Sequence, residues 1–218
     1  VAGFKPFETI IKLGAKAKLE DIKGICYFKN SEWIQNEREV FNVTELPFPN
    51  RSHFYKNSNK YRYVNMKPCA IVKASYSCPN NCNYCFSTLL NGGKYICREP
   101  ENVVEEIKNI DCDSIWLVDD TFYVDKNKLE RFIELIEQQN IKKNYALYFR
   151  VDFIANNPEL MQRLANIGVK MCAVGLEVID DEVLEKYNKK TNVNIMLQAI
   201  EVLKSVRHYL YWAIYDRH

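Results

Sequence analysis

Three cysteines stand close together in "SYSCPNNCNYCFS", residues 75–87. Cys78, Cys82 and Cys85 follow the spacing C-x3-C-x2-C. Thiolates this near in sequence can converge on one metal centre at modest loop-closure cost. The residues between them, Pro79-Asn80-Asn81 and Asn83-Tyr84, include strong turn formers, which lets a loop wrap a centre. Tyr84 can pack over such a centre or over an organic ligand of it. A structural zinc asks for a fourth protein ligand, and Cys97 is the nearest cysteine after the cluster. His53, His208 and His218 are remote in sequence. A four-iron cubane is the competing reading. Its electron-transfer forms take four protein ligands, whereas three thiolates would leave one iron open to a non-protein ligand.

These cysteines must be positioned by ordered elements. "CAIVKAS" reads as a short strand directly before them. After Pro100 the chain alternates. "ENVVEEIKNI" is a helix, "SIWLVDD" a strand, and "DKNKLERFIELIEQQN" a helix with Leu129, Phe132, Ile133 and Ile136 on one face. "YALYFR" is a strand, "PELMQRLANIG" a helix between Pro158 and Gly168, and "VKMCAVGLEV" a strand. "DDEVLEKYN" and "VNIMLQAIEVLKSV" close the series as helices. Short apolar strands in strict alternation with helices predict an α/β fold around a parallel sheet. Such sheets hold ligands beyond the C-terminal ends of their strands. There the sequence places the cysteine loop, Asp119-Asp120, Arg150 and Glu177. Charged residues also end strands simply because the chain meets water, so only their recurrence on successive strands points to a site.

Residues 1–49 read as a small α+β segment: a helix in "FETIIKLGAK" ending near Gly14, then a hairpin turning at Lys29-Asn30-Ser31. "LPFPN" marks a boundary. Residues 50–68 are polar and read as a linker, and 69–218 as the core domain.

Composition narrows the class. Thirty basic residues oppose 28 acidic ones, for a net charge of +2, which gives no footprint for nucleic acid or an anionic membrane. No run of eighteen apolar residues is present, and the start lacks the order of a signal peptide. The eight cysteines are sparse for a secreted disulfide scaffold, so a reducing cytoplasm is expected. Cys69, Cys112 and Cys172 sit in or beside apolar runs and read as buried thiols.

"CPNNCNYC" resembles the radical S-adenosylmethionine (SAM) motif C-x3-C-x-aromatic-C. The resemblance implies a partial (β/α)6, TIM-like barrel in which Cys78, Cys82 and Cys85 bind a [4Fe-4S] cluster. The open iron is chelated by the amino and carboxylate groups of SAM. One-electron reduction then cleaves SAM to methionine and a 5′-deoxyadenosyl radical, which takes hydrogen from substrate. It further implies that Tyr84 lies near the adenine of SAM, and that Asp120, Arg150 and Glu177 face SAM or substrate. Arg150 suits the methionyl carboxylate, and Glu177 a ribose diol or an ammonium. Gly92-Gly93 would meet the methionyl amine, although Lys94 stands where the family often has an acid.

"LPFPNRSHFY", "VVEEI", "WLVDDTF", "YFRVDFI" and "VGLEV" are similar to the subgroup that carries a cobalamin-binding domain in front. "LEDIKGICYFKN" resembles the end of that domain, so residues 1–49 are expected to be its remnant. No D-x-H-x-x-G cobalt-ligand motif is present. The tail "VRHYLYWAIYDRH" is aromatic and lacks glycine where the family continues with a glycine-bearing strand, so the barrel is expected to be incomplete. The expected activity is radical SAM chemistry, with cobalamin-dependent methyl transfer as one outcome and cyclisation or rearrangement as another. The expected partners are a small-molecule or peptide substrate and a one-electron donor such as flavodoxin or ferredoxin. A zinc- or iron-sulfur-stabilised binding module without SAM chemistry is the reading from a different class.

Overall fold

The computed structural model describes residues 3–38 and 43–206. The tail from residue 207 onward, and residues 39–42 in the stretch expected to finish the hairpin, lie outside the described residues.

Helix α1 (Phe4–Leu13) comes first, then the antiparallel hairpin β1 (Cys26–Lys29) and β2 (Glu32–Gln35). Asn30 and Ser31 both adopt positive φ, the backbone of a tight two-residue hairpin turn. Segment 50–68 contains α2 (Ser52–Lys56) and, polar as it is, packs closely. The Tyr63 ring stacks on Trp116 with centroids 4.0 Å apart, and its hydroxyl meets that of Tyr148 at 2.8 Å. Arg51 donates to the Ile71 carbonyl at 2.9 Å and pairs with the buried Glu106.

The remaining elements are β3 (Ala70–Val72), β4 (Ser75–Tyr76), β5 (Ile96–Cys97), α3 (Pro100–Lys108), β6 (Ser114–Leu117), α4 (Lys126–Gln138) and β7 (Asn144–Phe149). After them come α5 (Val151–Asn156), α6 (Pro158–Asn166), β8 (Val169–Val174), α7 (Asp181–Lys186) and α8 (Val193–Ser205). Strands β3, β6, β7 and β8 form a parallel sheet in that order, so the predicted α/β alternation is the observed architecture. Among the described residues four parallel strands are present, an arc of a barrel rather than a closed one.

The two faces of the sheet are used differently, as a period of two demands. Ile115, Leu117, Leu147, Cys172 and Val174 point to one core, where they meet Val103, Ile107, Leu129, Phe132, Ile136, Leu164 and Leu203 of the helices. Cys112 and Cys172 are buried there as expected, and Cys69 joins Met66, Ala146 and Met171 in a smaller cluster. Tyr63 and Trp116 pack against that second cluster.

Helix ends follow local chemistry. Pro100 and Pro158 open α3 and α6, and Asp125, Asp180 and Asn192 cap α4, α7 and α8 through side-chain acceptors. Gly168, at φ 108°, turns α6 into β8. A Cβ there would stand 2.1 Å from the Lys143 carbonyl oxygen, which only glycine avoids.

Candidate functional site

The cysteine loop is pinned at both ends. Strands β4 and β5 pair as a short antiparallel ladder, Ser75 with Cys97 and Tyr76 with Ile96, and so close the loop. Its base is held to the end of β6 by Asp119. That carboxylate accepts from the backbone N–H of Ala74 at 3.0 Å and of Ser75 at 2.6 Å. Asp119 is fully buried, and burial raises its carboxyl from an ordinary 3.8 to about 7 despite those two donors. It is therefore a brace. Asp120, its neighbour, lines the cavity and accepts from the Ser87 hydroxyl at 2.9 Å.

The far side of the loop is held by the turn after α7. Asn83 donates through its backbone to the Tyr187 carbonyl at 3.0 Å and through its side chain to the Lys186 carbonyl at 2.7 Å. Asn188 donates to the Asn81 carbonyl at 2.6 Å. The Tyr84 ring meets Tyr187 edge-on at 5.1 Å.

Between these anchors Cys78, Cys82 and Cys85 line one cavity of ≈ 180 Å³ with Tyr84, Asp120, Arg150, Glu177 and Lys189. All three cysteines are free thiols. Cys78 Sγ accepts from Asn80 Nδ2 at 3.3 Å, and Arg150 Nη1 lies 3.8 Å from Cys82 Sγ. Arg150 follows β7 directly as the N-cap of α5, and its Nη2 donates to the Lys189 carbonyl at 2.6 Å. Lys189 Nζ lies 2.9 Å from Glu177 Oε1 and 3.0 Å from the Tyr84 hydroxyl. Burial first, and then the Glu177 carboxylate, hold the Tyr84 phenol above its ordinary pKa, so it keeps its proton. A second cavity of ≈ 370 Å³ shares Tyr84, Cys85, Asp120 and Glu177 and extends over Trp116 and Tyr148 on the sheet.

Residues 72–211 match the family described as the radical SAM superfamily. The chain belongs to the radical SAM superfamily. It is 28% identical over 151 residues to the hopanoid C-3 methylase of Methylococcus capsulatus, covering 69% of this chain and 29% of that protein. The solved structure of the cobalamin-dependent S-adenosylmethionine radical enzyme OxsB, with aqua-cobalamin and S-adenosylmethionine bound, covers 96% of this chain and 32% of its own at TM-score 0.79 and 18% identity. The radical S-adenosylmethionine methyltransferase TsrM of Kitasatospora setae covers 97% of this chain and 44% of its own at TM-score 0.73 and 13% identity. At such identities the two structures establish a shared fold. The chain spans less than half the length of each of these proteins.

A radical SAM cluster asks for three thiolates on the wall of one cavity, each bonding a different iron. The donor set fits: three free thiols face one space, with N–H donors on two of the sulfurs. Among the described residues no three His, Cys, Asp or Glu side chains converge on a single-ion point. Cys97 lies in β5 and packs against the main core outside the cavity wall, which leaves a four-cysteine zinc site without its fourth thiolate there.

Most of the residues singled out by the radical SAM resemblance meet in this cavity, but not in the manner strand ends suggest. Strand β6 stops at Leu117 and β8 at Val174, so Asp120 and Glu177 reach the site from loops. Glu177 does so at φ 69°. Gly92 and Gly93 hold positive φ at the end of a 3-10 turn and line neither cavity. Lys189 is the residue that sequence reading missed. "NKKT" reads as a solvated polar turn, and only burial distinguishes this lysine from its neighbour.

Proposed function

We propose that this chain holds the [4Fe-4S] and SAM site of a radical SAM enzyme that transfers a methyl group with the help of cobalamin. The observation that carries the reading is the meeting of Cys78, Cys82 and Cys85 with Arg150, Glu177 and Asp120 around one cavity beyond the strand ends. When bound, the cluster and SAM supply a reductively generated 5′-deoxyadenosyl radical. Arg150 offers planar paired donors for a carboxylate, and Glu177 and Asp120 offer acceptors for an ammonium or a ribose diol. Tyr84, protonated and half-buried, presents a ring for the adenine side. Gly92-Gly93 stays a candidate for the methionyl amine.

Methyl transfer is supported by the methylase and the methyltransferase that this chain resembles, and cobalamin by the likeness to OxsB. The proposed division is residues 1–49 as the end of a cobalamin-binding domain, 50–68 as the connection, and 69–218 as the radical SAM core. The first segment has faces that call for cover. Helix α1 exposes Phe4, Phe7 and Ile11, and the hairpin exposes Phe28 and Trp33. The proposed setting is a reducing cytoplasm, with a flavodoxin- or ferredoxin-like electron donor and a small-molecule or peptide substrate.

The test is anaerobic reconstitution with iron and sulfide, then incubation with methyl-labelled SAM, cobalamin and a one-electron reductant. Formation of 5′-deoxyadenosine and methionine supports radical SAM cleavage, and label on cobalamin or product supports methyl transfer. Cleavage with no label transferred points to rearrangement or cyclisation instead. One zinc per chain and no response to SAM contradicts the proposal.

A further inference from the structure

Lys189 belongs to no strand end and to no part of the cysteine motif, yet its side chain is 7% exposed inside the site. A buried ammonium must be paired. Here Nζ meets Glu177 Oε1 at 2.9 Å and the Tyr84 hydroxyl at 3.0 Å, and its carbonyl accepts from Arg150 Nη2 at 2.6 Å. One residue therefore ties together the cysteine loop, the end of β7 and the loop after β8. The turn that carries it is fixed in its own right, since the Lys189 N–H donates to the Leu184 carbonyl at 3.0 Å.

The space for this pair is built. A Cβ on Gly175 would stand 2.6 Å from Glu177 Oε1 and 3.1 Å from Lys189 Nζ, so a side chain there would force the ion pair to shift. Glu177 lines both cavities, whereas Lys189 lines only the cysteine cavity. Glu177 thus reaches both spaces, and Lys189 pairs with it at the wall of the cysteine cavity. Buried ion pairs contribute little to stability compared with well-packed apolar residues, because desolvation offsets their attraction. Its position beside three thiols gives this pair another use.

We propose that Lys189 is a positioning residue for SAM: it fixes the Glu177 carboxylate and the Tyr84 ring in the places that receive the nucleoside. The inference rests on the functional reading above, and it concerns how the site is held rather than what it binds. Outer partners of metal ligands are worth about 10- to 100-fold in affinity, and the same scale is expected for a partner that holds a SAM-binding carboxylate.

The experiment uses the full-length protein, reconstituted anaerobically. Lys189→Met, Lys189→Arg, Glu177→Gln and the Lys189→Met/Glu177→Gln double variant are compared with the parent for iron content, unfolding temperature and SAM dissociation constant. The expected result is parental iron in all four, a roughly 10- to 100-fold weaker SAM affinity in Lys189→Met, and recovery of most of that loss in Lys189→Arg. The double variant should lose little more than the single ones, because both changes act through one carboxylate. Losses that simply add, or a Lys189→Met protein that binds SAM like the parent, overturn the inference. If Lys189→Met does not fold, Tyr84→Phe takes its place. That change removes only the hydroxyl held by Lys189, and unaltered SAM affinity there also overturns it. A parent that takes up iron but binds no SAM refutes the functional reading itself, whatever the variants do, and this inference falls with it.

Discussion

Arg150 and Cys82 share the cavity wall, with Nη1 of the guanidinium 3.8 Å from the sulfur while Nη2 is held by the Lys189 carbonyl at 2.6 Å. The arginine comes from the end of β7 and the cysteine from the loop after β4, so the contact spans the sheet arc. Charge and N–H donors beside a cluster sulfur raise its reduction potential. Replacing Arg150 with methionine should therefore lower the cluster midpoint potential by roughly tens of millivolts, with iron content kept. A potentiometric titration of the reconstituted protein checks this. An unchanged potential would mean that the guanidinium does not act on the cluster.

The cysteines should separate into two classes. Alanine at Cys78, Cys82 or Cys85 should abolish stable iron binding. Alanine at Cys97 should leave iron and acid-labile sulfide at the parental level, because Cys97 lies in β5 outside the cavity. Iron and sulfide assays on the four single variants decide it.

Asp119 predicts a pH dependence of stability. Its carboxyl rises from 3.8 to about 7 on folding because it is buried. Between those values the folded chain holds a proton that the unfolded chain releases, so stability falls as pH rises through that window. The slope is at most roughly 1.4 kcal/mol per pH unit. Asp119→Asn keeps an oxygen for the Ala74 and Ser75 N–H groups and cannot ionise, so its slope from pH 4.5 to 7 should be flatter. Asp119→Ala removes the acceptor from two N–H groups and should cost about 1–3 kcal/mol at any pH. Urea unfolding of the three proteins at several pH values measures both.

Gly175 offers a steric test. Gly175→Ala puts a methyl group 2.6 Å from Glu177 Oε1, so the Glu177–Lys189 pair must shift. SAM affinity should drop about tenfold or more, with the unfolding temperature nearly unchanged because the shift falls on two flexible side chains. Equilibrium binding and thermal unfolding check the two halves of that statement.

How much of this the sequence revealed depends on the range of the forces involved. The parallel strands and the helices α3, α4, α6 and α8 were legible because each buries an apolar face with its own period, as Leu129, Phe132, Ile133 and Ile136 do on α4. The cysteine cluster was legible because metal ligands crowd within one loop. Helix α5 was not, although α7 is equally short: α5 runs on from the end of β7 through Arg150 with no side-chain cap to mark its start, whereas Asp180 caps α7. The contacts of segment 50–68 were hidden too. They run through Arg51 and Tyr63, polar or aromatic residues whose partners Glu106 and Trp116 lie more than fifty residues away. Lys189 was the deepest omission, since a lysine in a polar turn carries no mark of burial.

The most direct test of the central claim is the electron paramagnetic resonance spectrum of the anaerobically reconstituted, reduced protein with and without SAM. The account predicts a [4Fe-4S]+ signal from about four irons per chain, shifted when SAM takes the iron that Cys78, Cys82 and Cys85 leave open. A cluster signal that SAM leaves unchanged, or a chain that binds only zinc, would contradict it.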